Sequence, residues 1–263
     1  MKRKFSGSVN ACSAAQDSVK EDMLKKMLIG IIFALLFIPA HINSEECTSE
    51  ESFAVLELFT SQGCASCPSA DSLLKKVYNP NKKIYAISLH VDYWDYLGWK
   101  DPYARKENSE KQKEYFRKMS WRVYTPQIVM NGQSHFIGSD EEKIMQNLSV
   151  KLPNRNDSRL NLSLSRGQNE LKVNFKTICT SSNSVLKVHL LRKNVKNKVS
   201  NGENAGLLLE HINVSEGYQE FDLGKGGSGL AKFNLKTSPS EYRILAYIQN
   251  RNSNLILAAN ETE

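Results

Sequence analysis

Cys64 and Cys67 are separated by two residues in FAVLELFTSQGCASCPSAD, residues 53–71 of the 263-residue chain. Two thiols at that spacing can close a disulfide. They can also carry out thiol–disulfide exchange when one sulfur is held as a thiolate. The flanking sequence supplies the setting for that chemistry. Residues 53–59 are an apolar run suited to a short buried strand, Thr60-Ser61-Gln62-Gly63 is a turn, and helical periodicity continues through Leu73, Leu74 and Val77. The cysteines are therefore expected at a helix N-terminus, where unpaired N–H groups and the positive dipole end stabilise an anion. Cys64, at the more exposed position, is the candidate attacking thiolate, and Cys67, about one turn deeper, the resolving thiol. Pro68 falls in the first turn, where its missing N–H has no helical acceptor. Glu57, inside the apolar strand, is a candidate base for Cys67 if burial raises its pKa; strand alternation equally allows it a solvent or backbone partner.

Two other readings of the cysteines stand beside this one. The first is a permanently closed structural disulfide in a non-catalytic binding protein. The second is soft ligation of Cu(I) by Cys64, Cys67 and His90. A zinc site would normally need four ligands, and no second Cys-x-x-Cys or His-x-His cluster is present, so no metal ligand set and no cofactor is assigned.

The elements that must position the pair follow in order. After a turn at Asn79-Pro80-Asn81, residues 84–91 read as a second strand. If it runs parallel to the first, the loop that follows opens on the same edge as Cys64. His90, Asp92, Tyr93, Trp94 and Asp95 are then candidates for a substrate-binding surface; the plainer reading is a rigid aromatic loop whose acids cap the next helix. A charged helix is expected over 102–119. Thr125-Pro126 leads into a strand at 127–130, with Thr125 a candidate for backbone hydrogen bonds to an extended substrate. Asn131-Gly132 marks a hairpin, and an acidic helix start follows at 139–142. Beyond Pro153-Asn154 the sequence shows short alternating runs separated by turn residues, the pattern of a β-rich or sandwich-like domain. His189, His211 and Asn204 have no partner nearby in sequence and are read as structural.

Lys25 and Lys26 precede an apolar run at 27–40 that ends Ile38-Pro39-Ala40. This describes a secretory signal peptide rather than a membrane span, which needs about 20 apolar residues. Translation could begin at Met23 or Met27. No lipobox precedes Cys47. Removing the leader takes Cys12 with it, leaving Cys47 and Cys179 as a candidate structural disulfide beside the Cys64/Cys67 pair. The net charge is +7, part of it within the first 44 residues. So mild an excess argues for solubility rather than a nucleic-acid partner.

The order β-α-β-α-β-β-α over roughly 53–152, with Cys-x-x-Cys after the first strand and Thr-Pro before the third, resembles the thioredoxin fold. The resemblance implies that Pro126 is cis and packs near the disulfide. Gly63 and Ala65-Ser66 depart from the Trp and Gly-Pro usual in thioredoxins. A closer similarity is to the DUF1223 family of secreted bacterial proteins, carried by ELFTSQGC-x-x-CP (57–68), HVDYWDYLGW-x-DP (90–102), VYTPQ-x-V-x-NG (123–132) and GENAG (202–206). Together these give a leader over 1–44, an α/β thioredoxin-like domain over 45–153 and a β-rich domain over 154–263. The expected function is thiol–disulfide oxidoreduction in the periplasm or outside the cell. Its expected partners are protein or small-thiol substrates held through a mixed disulfide, with no nucleic acid and no membrane span after leader removal.

Overall fold

Strand β1, Ala54–Thr60, is buried along its whole length, with both of its edges paired and both of its faces covered. In the computed structural model, which describes residues 52–149, 159–178, 180, 183–224 and 226–263, β2 (Ile84–His90) runs parallel to one edge. On the other edge β3 (Gln127–Met130) runs antiparallel and pairs in turn with β4 (Ser134–Ile137). The leader, Cys47 and Cys179 lie outside the described residues.

Alternation along β1 assigns its two faces to different helices. Leu56 and Leu58 pack with Ala70, Leu73 and Leu74 of helix α1 (Cys67–Val77) and with Ile144 of α3 (Glu141–Ser149). Val55 and Phe59 lie on the other face with Tyr115 of α2 (Lys106–Met119). At the β3–β4 hairpin, Asn131 and Gly132 both take positive φ, as an Asn-Gly turn of the hairpin type requires.

The second half of the chain does not stand apart from this sheet. Strands β7 (Ser184–Lys198) and β8 (Leu208–Asp222) form a long hairpin, and β8 meets the free edge of β2 at Ser88↔Val214. The Ser88 hydroxyl reinforces that seam by donating to the Ile212 carbonyl at 2.8 Å. With β10 (Tyr242–Asn250) and β11 (Ile256–Thr262) the result is one eight-stranded mixed sheet, ordered β11-β10-β7-β8-β2-β1-β3-β4. A smaller sheet of β5 (Arg159–Arg166), β6 (Glu170–Ile178) and β9 (Gly227–Asn234) packs on it. Leu171, Val173 and Phe175 of β6 alternate inward there, against Leu186, Val188, Ile244 and Ile248 of β7 and β10.

This corrects the expected fold class. The described residues are mostly β-sheet with three α-helices, and strands from both halves share one sheet, rather than a thioredoxin-like α/β domain followed by a separate sandwich. The physical reason is the edge of β2. Left unpaired, it would expose a row of N–H and C=O groups, and β8 covers it. The core is shared as well, since Leu191, Leu245 and Tyr247 pack with Val55, Phe59 and Tyr115. No helix among the described residues is long and apolar enough to cross a membrane.

Candidate active site around the Cys64–Cys67 disulfide

The turn after β1 brings the two cysteines into a disulfide, with their Cα atoms 5.5 Å apart. Cys67 opens α1, whose N-terminus has no side-chain cap. Ser66, at the capping position, instead places its Oγ 3.5 Å from Cys64 Sγ. Ala65 and Ser66 are exposed, yet Cys64 is only 1% accessible. Cys67 is at 0%, so the expected difference in exposure between the two is slight, and Cys64 lies just below the surface, beneath a cover.

That cover comes from the β7–β8 connection, residues 199–207. Asn204 Nδ2 donates to the carbonyls of Gln62 and Cys64, each at 2.9 Å. Glu203 accepts the Ala65 N–H at 3.1 Å, supplying a carboxylate to the helix start from a segment 138 residues away. Sequence proximity could not link Asn204 to the cysteines; the GENAG string was its only signal. We expect Asn204→Ala to speed reduction of the bridge by a small phosphine about tenfold. Losing both hydrogen bonds, worth about 1 kcal/mol each, would open the cover more often. Rates measured for the two proteins at equal reductant concentration check this.

Behind the bridge lies a buried polar network. Gln62 is its hub. Its N–H donates to Asp101 Oδ2 at 2.8 Å, and its Oε1 accepts from Trp99 Nε1 (3.1 Å) and Asn197 Nδ2 (2.9 Å). Its amide nitrogen is left to donate to His211 Nε2 at 3.2 Å. His90 Nδ1 lies 2.7 Å from Asp101 Oδ2, and the imidazoles of His90 and His211 are edge to face at 4.6 Å. Burial opposes charge on His90, but Asp101 beside it raises the imidazole above its ordinary value. Burial likewise acts to raise Asp101, which His90 and the Gln62 and Tyr103 N–H groups nonetheless hold below the usual carboxylate range. The two form a buried, hydrogen-bonded pair. His90 is fully inaccessible and lines no surface, contrary to its expected place in a substrate groove.

The other expected site residues divide. Trp94 lies against Gly63, where an added Cβ would come within 3.1 Å of Trp94 Cβ, and its Nε1 donates to Thr125 Oγ1 at 2.8 Å. The Thr125–Pro126 peptide is cis. Pro126 is buried near the cysteine helix, since a Cβ built on Gly138 would meet both Ala70 and Pro126. Trp94, Thr125 and Pro126 thus gather around the turn that carries Cys64. Asp92, Tyr93 and Asp95 serve the loop instead. Asp92 accepts from Ser109, Asp95 accepts the Asp101 N–H, and Tyr93 donates to Gln112. Burial pushes the Tyr93 hydroxyl up to about 12 and raises the Asp95 carboxyl.

Glu57 is not brought to the cysteines. It alternates with Leu56 and Leu58, which face α1, and so points to the face covered by α2. There Lys111 Nζ lies 2.9 Å from Oε1, and both Tyr115 and Tyr247 donate to the carboxylate. Burial alone would raise its pKa, but Lys111 and the Tyr115 hydroxyl hold it below the ordinary value. The expected raised-pKa base is therefore a structural anion. Nor do Cys64, Cys67 and His90 assemble into a ligand cluster among the described residues.

Comparison with known proteins gives a family and a fold. A crystal structure of a protein from Agrobacterium tumefaciens is similar with a TM-score of 0.58 and 27% identity, over 81% of this chain and 95% of that one. HBP35 of Porphyromonas gingivalis is similar in fold, with a TM-score of 0.60 and 15% identity over 82% of this chain and 76% of that one. Both neighbours are bacterial. No curated protein matches the chain. The family described as "Protein of unknown function (DUF1223)" matches residues 55–249, through the cysteine turn, the aromatic loop and the covering segment, and the chain belongs to it.

Proposed function

We propose that Cys64 and Cys67 form a redox couple that exchanges with thiols and disulfides, Cys64 being the sulfur attacked by or attacking the substrate. One observation carries this reading. The bridge sits at a helix N-terminus without a side-chain cap, and the Ser66 hydroxyl is turned toward Cys64 Sγ. On opening of the bridge, both would stabilise a Cys64 thiolate. Trp94 and Thr125, with Pro126 packed beneath them, would form the surface against which an extended chain or a small thiol is presented. With Cys64 1% accessible and the segment carrying Asn204 bonded to its turn, exchange would be gated by movement of that segment. The apolar run behind Lys25 and Lys26 supports export, and with it an oxidising setting outside the cytoplasm.

The competing reading, a permanent structural bridge in a binding protein, draws on the burial of Cys64. A redox titration against glutathione separates the two, with Cys64→Ser and Cys67→Ser as controls. The exchange reading expects a reversible couple above about −230 mV and a mixed disulfide trapped on Cys64 in Cys67→Ser. A bridge that stays oxidised until below about −300 mV sinks it.

A further inference from the structure

With Glu57 on the far face of β1, Cys67 needs another proton partner, because a buried thiolate without one is strongly disfavoured. Asp71 follows Cys67 by four residues on α1, so the two share one face of the helix, and the tilt of helical side chains leans Asp71 back toward Cys67. Both are buried, at 0% and 4% exposure. Thr60 Oγ1 donates to Asp71 Oδ2 at 3.1 Å. Asp71 Oδ1 lies 3.2 Å from His211 Nδ1, and neither atom makes a well-aligned hydrogen bond among the described residues.

The state of His211 follows from Gln62. Because Gln62 Oε1 accepts from Trp99 and Asn197, its amide N–H faces His211 Nε2, which must then be the acceptor nitrogen. His211 is therefore neutral, with its proton on Nδ1 facing Asp71. Thr60 holds Oδ2 of the Asp71 carboxylate, while Oδ1, beside His211 Nδ1 but without a well-aligned hydrogen bond, is left to take a further proton. A cavity of about 290 Å³, lined by Pro68, Asp71, Ser72, Leu209 and His211 with Lys75 and Glu210, opens beside Asp71.

From this arrangement we infer that Asp71 is the acid–base group of Cys67, with His211 and Thr60 as positioning residues; the inference rests on the exchange reading above. In the mixed disulfide between Cys64 and a substrate sulfur, Asp71 takes the proton of the Cys67 thiol. The Cys67 thiolate attacks Cys64 Sγ, the Cys64–substrate S–S bond breaks, and the substrate leaves as a thiolate carrying the electron pair. Asp71 then releases its proton to water through the cavity. In the opposite direction the same carboxyl delivers a proton to Cys67 as the bridge opens. The charged and titratable groups around Asp71 are His211 and Glu210 of β8, Lys75 of α1, His90 of β2 and Asp101 of the following loop.

The test follows glutathione release from the Cys64 mixed disulfide, across pH, in wild type and Asp71→Asn. The expected result is a loss of about 100-fold in Asp71→Asn near neutral pH, narrowing as pH rises toward the pKa of the thiol, where solvent removes the proton unaided. A variant that matches wild type, or is slowed by one factor at every pH, overturns the inference while leaving the exchange reading in place. A wild-type protein that forms no mixed disulfide removes the exchange reading itself, and this inference with it. Should Asp71→Asn fail to fold, the pH profile of glutathione release in wild type supplies the second measurement. A rate that holds as pH falls below the pKa of the thiol is expected, and one that drops about tenfold per pH unit across the whole range, as for a thiol deprotonated by solvent alone, overturns the assignment.

Discussion

Glu57→Gln is expected to destabilise the protein by about 3–5 kcal/mol, read as a lower denaturant midpoint with an unchanged slope. The side chain is fully buried and accepts from Tyr115, Tyr247 and Lys111. Glutamine retains the shape but leaves the Lys111 ammonium, itself only 5% exposed, without a counter-charge. The cost comes from that orphaned cation rather than from lost attraction, so Glu57→Gln combined with Lys111→Met should recover most of the stability. The pH dependence has a definite sign. The folded pKa of Glu57 lies below its ordinary value of 4.5. The contribution is thus complete above that value and is lost as pH falls through the folded pKa. Wild-type stability should fall in this acid range, and Glu57→Gln should fall less steeply. A single variant within about 0.5 kcal/mol of wild type would show that the pair has no such role.

Local structure was legible in this chain, but the architecture was not. The apolar run at 53–59, the cysteine helix and the Asn131-Gly132 turn each announce themselves through periodicity or backbone preference acting over a few residues. The alternating runs after 159 likewise mark strands. What periodicity does not encode is which strand covers which edge. Nothing local to 84–90 says that β8, more than 120 residues later, will pair with it, and that pairing turns two expected domains into one sheet. The site divides along the same line. Cys64, Cys67, Trp94, Thr125 and Pro126 lie in motifs close to the turn. Asn204, Asp71 and His211 acquire a role only through the β7–β8 hairpin. Glu57 was misplaced by parity alone: one step along β1 separates the α1 face from the α2 face, and with it a base for Cys67 from a partner for Lys111.

Gln62→Leu is the second large effect expected, a loss of about 3 kcal/mol, and it tests whether the covered bridge is held from behind. No other side chain at the turn touches so many separate segments: the aromatic loop through Trp99, β7 through Asn197 and β8 through His211. Leucine fills similar volume but leaves two donors and an acceptor without partners, and each buried orphan costs about 1–3 kcal/mol. Some of that is recovered by water, since Trp99 and Asn197 are only partly buried. At about 2–4 °C per kcal/mol for a chain of this size, the melting temperature should drop by roughly 10 °C. Hydrogen exchange should rise across residues 199–207, because the Gln62 carbonyl is one of the two acceptors that hold Asn204. Gln62→Glu gives the sharper contrast. Its carboxylate still accepts from Trp99 and Asn197 but now also accepts from His211 Nε2. The melting temperature should then fall less than in Gln62→Leu. If Gln62→Leu melts within about 2 °C of wild type, the network is not what binds the two halves of the site, and the cover over Cys64 is held by the Asn204 and Glu203 contacts alone.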